Sequence, residues 1–119
     1  MKSLMVGLLA VLALLLTGTS TRGQRVSKTT GNELLEACEG SEPFQQAFCL
    51  GYVTGASDVD GAEGAAFPER RRSCVPDSVS NGQLKDVVVK YLKDNPEERH
   101  ILAAILVVKS VAKAFPCKQ

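Results

Sequence analysis

Two consecutive helices are encoded between Ser80 and Cys117, and both ends of each helix carry recognisable signals. Ser80 followed three positions later by Gln83 forms a capping box, which starts a helix. Apolar residues then recur at helical spacing, and most charged residues lie off that stripe. The stripe comprises Leu84, Val87, Val88, Tyr91 and Leu92. The pattern predicts a half-buried helix that stops at Asn95, because Pro96 disfavours helical backbone in the residue before it.

The second helix is predicted to begin where the first one ends. Asn95 is a good N-cap, Pro96 suits the first helical position, and the two glutamates that follow complement the positive end of the helix dipole. Residues 101–108 are apolar at all eight positions, which is too many for one narrow stripe. We therefore predict a core helix that starts at Pro96, is largely enclosed by its neighbours and ends at Phe115.

The amino-terminal residues have the pattern of an export signal. Lys2 precedes an apolar run over residues 4–16, and small residues follow that run. This arrangement predicts a cleaved secretory signal peptide over residues 1–23, because the run is short for a membrane span. An uncleaved anchor is the alternative. Residues 24–31 are polar and lack periodicity, so we predict a flexible leader there.

The charge and length of the cleaved chain narrow the class of protein. Removing residues 1–23, which hold Lys2 and Arg22 but no acidic residue, leaves 96 residues with 12 basic and 13 acidic side chains. A net charge of about −1 gives no basic surface typical of nucleic-acid binding, and no second apolar segment indicates a membrane protein. A domain of this size has a thin core, so we expect covalent support.

Four cysteines are expected to supply that support. Cys38, Cys49, Cys74 and Cys117 are even in number and belong to an exported chain, so they predict two disulfides, for which sequence alone allows three pairings. Their spacings of 11, 25 and 43 positions include no CxxC pair, and His100 is the single histidine. We therefore expect neither a metal site nor another cofactor. An oxidising compartment also disfavours a catalytic cysteine thiol.

Two further helices are predicted before the paired ones. Asn32 can cap a short helix over residues 33–38, and Pro43 starts a longer helix from Phe44 to about Val59. A helix-packing or dimer face on the longer helix is formed by Phe48, Gly51, Tyr52 and Gly55. Because two glycines in a helix interior cost stability, they indicate close approach by another helix backbone. We expect that approach inside the monomer, with a dimer interface as the alternative.

Residues 58–72 are predicted to form a glycine-rich loop that is acidic first and basic last. Asp58 and Asp60, followed by Gly61, suggest a calcium loop, but Ala62 and Glu63 stand where that motif needs an oxygen ligand and a glycine. The calcium motif is therefore rejected.

The chain also lacks a nucleophile elbow, a phosphate-binding loop and a dinucleotide fingerprint, so an enzyme is not expected. From the residues alone we predict a single small all-α, disulfide-linked bundle of about four to five helices.

Seven short motifs together resemble a known family. They are Leu34-Leu-Glu-Ala-Cys38, Phe48-Cys-Leu-Gly-Tyr-Val-Thr-Gly55, Cys74-Val-Pro76, Gly82-Gln-Leu84, Val88-Val-Lys-Tyr-Leu92, Asn95-Pro-Glu-Glu-Arg-His100 and Ala114-Phe-Pro-Cys117. Their order and spacing resemble the Rap/Tai family, periplasmic immunity proteins of type VI secretion systems that bind and block peptidoglycan amidase effectors. The resemblance assigns residues 32–119 to one immunity domain.

This resemblance implies a small helical periplasmic protein, often a homodimer, whose surface loops and helix ends occlude the active site of a bacterial amidase effector. For the contact region we favour the predicted loop, since a loop that carries both signs of charge and is held at both ends can enter a cleft. Its candidate effector-binding residues are Asp58, Asp60, Glu63, Arg70 and Arg71. For the disulfides we predict the pairs Cys38–Cys117 and Cys49–Cys74.

Two other classes of exported helical protein are alternatives. An HdeA-like periplasmic acid-stress chaperone is also small, helical and disulfide-bonded, and it would act by dissociating in acid and exposing apolar surface. A saposin-like lipid-binding module characteristically has six cysteines, and this chain has four.

Overall fold

The computed structural model describes residues 28–118. Within that range the chain forms four α-helices and two short 3₁₀ turns, with no strand. In chain order they are α1 Gly31–Glu39, α2 Pro43–Ala66, a turn at Pro68–Arg70, α3 Asn81–Asp94, a turn at Pro96–Glu98, and α4 Ala103–Ala114. The prediction of an all-α bundle is confirmed. The predicted signal peptide over 1–23 and most of the predicted leader lie outside the described residues.

One apolar core joins all four helices, and each helix contacts the other three. Its buried members are Leu34, Leu35, Val53, Leu84, Val88, Tyr91, Leu92, Ala103, Leu106, Val107 and Val111. Burial of this apolar surface is the main favourable term in folding, and helices supply it by turning one stripe inward. The same arrangement leaves one long side of α2 and part of α4 facing solvent.

Helix α3 forms as its local signals predict. The Ser80 side chain accepts a hydrogen bond from the N–H of Gln83, and the Gln83 side chain accepts one from the N–H of Ser80. The apolar stripe faces the core: four of its five members are buried, and Val87 is half-buried. The helix ends at Asp94, and the Asn95 N–H donates to the carbonyl of Tyr91. Both predicted boundaries are confirmed.

Helix α4 begins seven residues later than predicted. Pro96–Glu98 is an isolated 3₁₀ turn, and Leu102 is extended. The reason is a non-local pairing: the N–H of Gly31 donates to the carbonyl of Ile101 at 3.0 Å, and the N–H of Ala103 donates to the carbonyl of Thr29 at 2.8 Å. These bonds fix the backbone of residues 101 and 102 outside the helix, so that α4 begins at Ala103. The end of the predicted flexible leader is thus paired with residues 99–103.

Two other predictions about α4 and α1 are wrong in detail. Ile105 is 55% exposed, so α4 is not largely enclosed. The N-cap of α1 is Thr30 rather than Asn32: its hydroxyl accepts from the Glu33 N–H, and its own N–H donates to Oε2 of Glu33 at 2.7 Å. Next to this cap, a Cβ on Gly31 would lie 2.5 Å from Leu106 Cδ1 and 3.0 Å from the Arg99 backbone. Glycine therefore permits the close approach of α1 to the segment before α4.

Helix α2 runs to Ala66, well beyond the predicted end near Val59. The predicted loop over 58–72 is therefore mostly helix, followed by a 3₁₀ turn and an extended segment. Tertiary contacts outweigh the weak helix propensity of its glycines. Asp60 and Gly64 continue the buried side of α2, and a Cβ on Gly64 would lie 3.1 Å from the side chain of Arg71. Gly64 thus makes room for the returning chain.

The two disulfides pair Cys38 with Cys49 and Cys74 with Cys117. All four cysteines are bonded, as expected, but the predicted pairs Cys38–Cys117 and Cys49–Cys74 are wrong. Helices α1 and α2 are consecutive and in contact, which brings Cys38 and Cys49 to a Cα separation of 5.0 Å. At the other bond, the N–H of Cys74 donates to the carbonyl of Phe115 at 2.8 Å, next to Cys117.

Candidate functional site

The five predicted effector-binding residues have different environments at the carboxyl end of α2. Asp60 is only 5% exposed, whereas Asp58, Arg70 and Arg71 are exposed and Glu63 is intermediate. The structure therefore separates a buried anchoring carboxylate from a charged surface. The Asp60 carboxylate is therefore not accessible to a partner protein.

Both carboxylate oxygens of Asp60 are occupied. Arg72 Nε donates to Oδ1 at 2.6 Å, and the Ser73 hydroxyl donates to Oδ2 at 2.9 Å. These bonds fasten the segment that follows the 3₁₀ turn to the inner side of α2. The roles of Arg72 and Ser73 were not predicted, because no local pattern relates these residues to one 12 or 13 positions earlier.

Arg72 links this anchor to the surface. Its Nη2 donates to Oε2 of Glu63, whose other oxygen forms an ion pair with Arg70 at 3.7 Å. The hydrogen bond to the Asp60 carboxylate raises the pKa of Arg72 above its ordinary value, with further contributions from Glu63. Arg72 therefore remains a cation that joins two acids of α2, and a single buried residue supports a network that extends to the surface.

The accessible part of this region carries both signs of charge. Arg71 and Asp58 line the same shallow groove of about 280 Å³, together with Gly61, Ser73 and neighbouring residues. The Arg70 guanidinium lies 4.6 Å from the centre of the half-exposed Phe67 ring. Aromatic and arginine side chains are typical of protein–protein contacts. We call Asp58, Phe67, Arg70 and Arg71 the α2-end patch.

An apolar groove on α4 was not expected from the sequence. It has a volume of about 660 Å³ and is lined by Ala104, Ile105, Val108, Lys109, Ala112 and Arg72. The signal was present in residues 101–108, where apolar side chains cover more of the helix than one buried stripe needs. It was interpreted as burial within the monomer, but part of that surface is exposed.

A second polar cluster fastens the Pro96–Glu98 turn to α3 and α4. The Tyr91 hydroxyl donates to Oε2 of Glu98 at 2.6 Å, and Lys109 Nζ donates to Oε1 at 2.5 Å. The bond from Lys109, followed by that from Tyr91, lowers the pKa of Glu98. The same contact with Glu98 raises the pKa of Lys109. Both hydrogen-bond donors to Glu98 belong to neighbouring helices of the same chain, which indicates that this cluster has a structural role.

The predicted helix-packing face of α2 is largely turned to solvent. Among residues 28–118, no heavy atom outside the helix's own backbone lies within 4 Å of a Cβ built on Gly51 or Gly55, and both glycines are exposed. The expectation that these glycines pack inside the monomer is therefore wrong. Phe48 is partly exposed, and the centre of its ring lies 5.7 Å from the centre of the Tyr52 ring. Tyr52 in turn packs against the core.

The described residues also bear on metals and membranes. From Lys28 to Lys118 there is no cluster of three or more potential metal-ligating side chains. In the same range, no helix combines the length and the apolar character required to cross a bilayer.

Replacing Asp60 by asparagine is expected to lower the free energy of unfolding by about 1 to 3 kcal/mol. The substitution removes the buried carboxylate that accepts hydrogen bonds from Arg72 and Ser73, and it leaves a neutral amide in its place. Urea unfolding of the variant measures this effect. Asp58→Asn, two positions earlier but exposed, is the matched control and is expected to change stability by less than about 0.5 kcal/mol. Equal effects of the two substitutions would contradict the anchoring role of Asp60.

The chain matches the model of one protein family. No curated protein and no solved structure matches the chain. The family model described as Rap1a immunity proteins matches residues 30–117. That match begins at the N-cap of α1, ends at Cys117, and so includes all four helices and both disulfides. The chain belongs to the Rap1a immunity protein family.

Proposed function

We propose that the protein is a periplasmic immunity protein that binds and occludes a peptidoglycan amidase delivered by a type VI secretion system. The observation that carries this proposal is the family match over residues 30–117, which spans the described helical domain. Immunity proteins of this family act on a secreted effector, which indicates an inhibitor rather than an enzyme. The amidase and the secretion system are inferred from the resemblance of the sequence motifs.

Export is supported by the cysteine chemistry. Disulfides persist in oxidising compartments such as the bacterial periplasm, and all four cysteines of the chain are disulfide-bonded. The family match favours immunity over the HdeA-like chaperone. A homodimer, which the resemblance also implies, stays a prediction of the sequence.

The α2-end patch is our proposed effector contact. It retains the three exposed members of the predicted set, omits the buried Asp60 and the half-buried Glu63, and adds the neighbouring Phe67. Arg70 and Arg71 directly precede Arg72 and Ser73, whose hydrogen bonds to Asp60 fasten this segment to α2. We therefore expect the patch to be largely ordered before binding. A pre-organised contact costs less conformational entropy on association. Mixed charges at the rim then supply specificity for a complementary amidase surface.

The test is a titration of purified type VI amidases from the same bacterium with the oxidised protein, with peptidoglycan hydrolysis as the readout. We expect stoichiometric inhibition of one amidase. Arg70→Glu combined with Arg71→Glu is expected to weaken inhibition at least about tenfold, which corresponds to about 1.4 kcal/mol. Both residues are exposed, and their polar contacts are weak, as from Arg71 Nη2 to the Gly64 carbonyl at 3.4 Å and from Arg70 to Glu63 at 3.7 Å. The free energy of unfolding should therefore change by less than about 1 kcal/mol.

The matched control reverses two exposed charges elsewhere. Lys90→Glu combined with Lys93→Glu alters the same number of charges on α3, where the two lysines form surface ion pairs with Asp94 and Glu39. Surface pairs contribute little to stability. Inhibition should remain unchanged in this variant. If the Arg70 and Arg71 variant inhibits as well as the native protein, the α2-end patch is not the contact.

A further inference from the structure

The two disulfides differ in how far they are exposed. Cys74 is exposed and Cys117 is partly exposed, whereas Cys49 is 0% exposed and Cys38 packs against the core. Thiol–disulfide exchange requires that an attacking thiolate reach one of the two sulfur atoms, so exposed disulfides are the labile ones. In the folded protein, a dithiol can therefore reach the Cys74–Cys117 bond more readily than the Cys38–Cys49 bond.

The chain around Cys74 depends on this bond for its position. Residues 71–76, which we call the return segment, have no regular secondary structure. Among residues 28–118, one backbone hydrogen bond joins the return segment to a distant residue, from the Cys74 N–H to the Phe115 carbonyl at 2.8 Å. A segment with few bonds to the rest of the fold opens locally at low free energy. Reduction of the disulfide is therefore expected to release the return segment while the helices stay folded.

The return segment carries part of the proposed effector contact. Arg71 belongs to the α2-end patch, and Cys74 lines the same shallow groove as Arg71 and Asp58. The hydrogen bond from Arg72 to Asp60 fastens the segment to α2 only, and the disulfide adds an attachment to the chain after α4. A contact that is ordered before association costs less conformational entropy. Loss of the second attachment is therefore expected to weaken effector binding.

We propose that the Cys74–Cys117 disulfide is a site of reversible reduction by a dithiol oxidoreductase of the thioredoxin class, and that its oxidation completes the effector contact. This inference rests on the proposed function, because it concerns the regulation of the same α2-end patch. The oxidised chain is the inhibitor, and the reduced chain is folded but binds the effector weakly. The contact is thus complete only where the chain is oxidised, which agrees with the proposed periplasmic location.

The reduction is a two-step exchange of thiols and disulfides. A thiolate of the enzyme attacks the exposed Sγ of Cys74 and forms a mixed disulfide, while the Sγ of Cys117 leaves as a thiolate and takes up a proton. The second thiol of the enzyme then attacks its own partner sulfur, and Cys74 leaves as a thiolate that is protonated in turn. The protein gains two electrons and two protons, and the enzyme dithiol becomes a disulfide. An oxidised enzyme of the same class reverses both steps.

The selectivity of the site is tested by incubating the oxidised protein with reduced thioredoxin, alkylating the free thiols and mapping the labelled peptides. We expect Cys74 and Cys117 to be labelled at least about tenfold faster than Cys38 and Cys49. Equal rates for the two pairs, or earlier reduction of Cys38–Cys49, would overturn the proposal.

The local release is tested by hydrogen exchange of the protein in which only Cys74–Cys117 is reduced. The Cys74 amide is expected to exchange at least about tenfold faster than in the oxidised protein, while the amides of α3 remain protected. Loss of protection throughout α3 would show that reduction unfolds the whole domain, and it would contradict a local switch.

Amidase inhibition connects the site to the effector. The selectively reduced protein is expected to inhibit at least about tenfold more weakly, and reoxidation should restore inhibition. Cys74→Ala combined with Cys117→Ala should inhibit as weakly and should not respond to thioredoxin. Cys38→Ala combined with Cys49→Ala is the matched control, because it also loses a disulfide and the stability that goes with it. This control should inhibit within about twofold of the native protein and should still respond to thioredoxin.

The outcomes separate this inference from the proposed function. If the selectively reduced protein inhibits an amidase as well as the oxidised protein, or if the two double variants lose inhibition equally, the switch is wrong and the immunity function stands. If the oxidised protein inhibits no amidase, the proposed function fails and the effector part of the inference fails with it. The alkylation and exchange measurements then decide by themselves whether Cys74–Cys117 is a selectively reducible site.

Discussion

Replacing Cys74 and Cys117 together by alanine is expected to lower the free energy of unfolding by about 4 kcal/mol, because their disulfide spans 43 positions and strongly restricts the unfolded chain. A small domain has a total stability of about 5 to 15 kcal/mol, so this loss is a large fraction of it. The bond also holds the end of α4 beside Cys74, where the Cys74 N–H donates to the Phe115 carbonyl. Urea unfolding of the double variant measures the effect.

The second disulfide provides a comparison. Cys38–Cys49 spans only 11 positions, for which the same entropy model gives about 3 kcal/mol. Peptide mapping of the oxidised protein without reduction should give these two pairs and no others. An unchanged unfolding midpoint in the Cys74 and Cys117 double variant, or a peptide joining Cys38 to Cys117, would contradict this account of the covalent framework.

Leu106→Ala is expected to lower the free energy of unfolding by about 3 kcal/mol, through lost apolar burial and the cavity left behind. Leu106 is 0% exposed and belongs to the core that all four helices share. Its Cδ1 also packs against the backbone of Gly31, so the side chain connects α4 with the start of α1. Thermal or urea unfolding, with a check of helix content, measures the loss.

The neighbouring residue is the control for that substitution. Ile105→Ala removes a side chain of the same size from the same helix, but Ile105 is 55% exposed and lines the α4 groove. We expect it to cost less than about 1 kcal/mol. If both substitutions destabilised the protein equally, the two faces of α4 would have been assigned incorrectly.

Helix boundaries with local causes were predictable. The capping box at Ser80, the stripe from Leu84 to Leu92 and the stop before Pro96 depend on residues close together in the chain, and α3 formed as predicted. The late start of α4 was not predictable in this way. It depends on backbone bonds between residues 29–32 and 99–103, about 70 positions apart. No local propensity reports such a pairing.

The disulfide pairs were missed for a related reason. Four cysteines in an exported chain predict two bonds, but their partners depend on how the helices pack. The contact between α1 and α2 places Cys38 beside Cys49. Cys74 and Cys117 come together only because the chain returns from α4 to the segment after α2.

The candidate site was predictable in composition but not in geometry. The clustering of opposite charges over residues 58–72 is the reason for proposing an effector contact there, and Asp58, Arg70 and Arg71 are exposed in the structure. The glycines in this region suggested a loop, whereas α2 continues to Ala66 with Asp60 buried and bonded to Arg72 and Ser73. An acidic residue with a weak helical context gives no sign of being buried by a distant arginine.

The most direct test of the immunity function is protection of living cells. The candidate amidase is directed to the periplasm of a sensitive bacterium, and the full chain is produced in the same cells. The account predicts survival with the native protein, and lysis when residues 1–23 are removed so that the chain stays in the cytoplasm. The experiment is repeated with each type VI amidase of the protein's own bacterium, with the oxidised protein in excess in the periplasm. Lysis of the cells with every one of these amidases would contradict the proposed function.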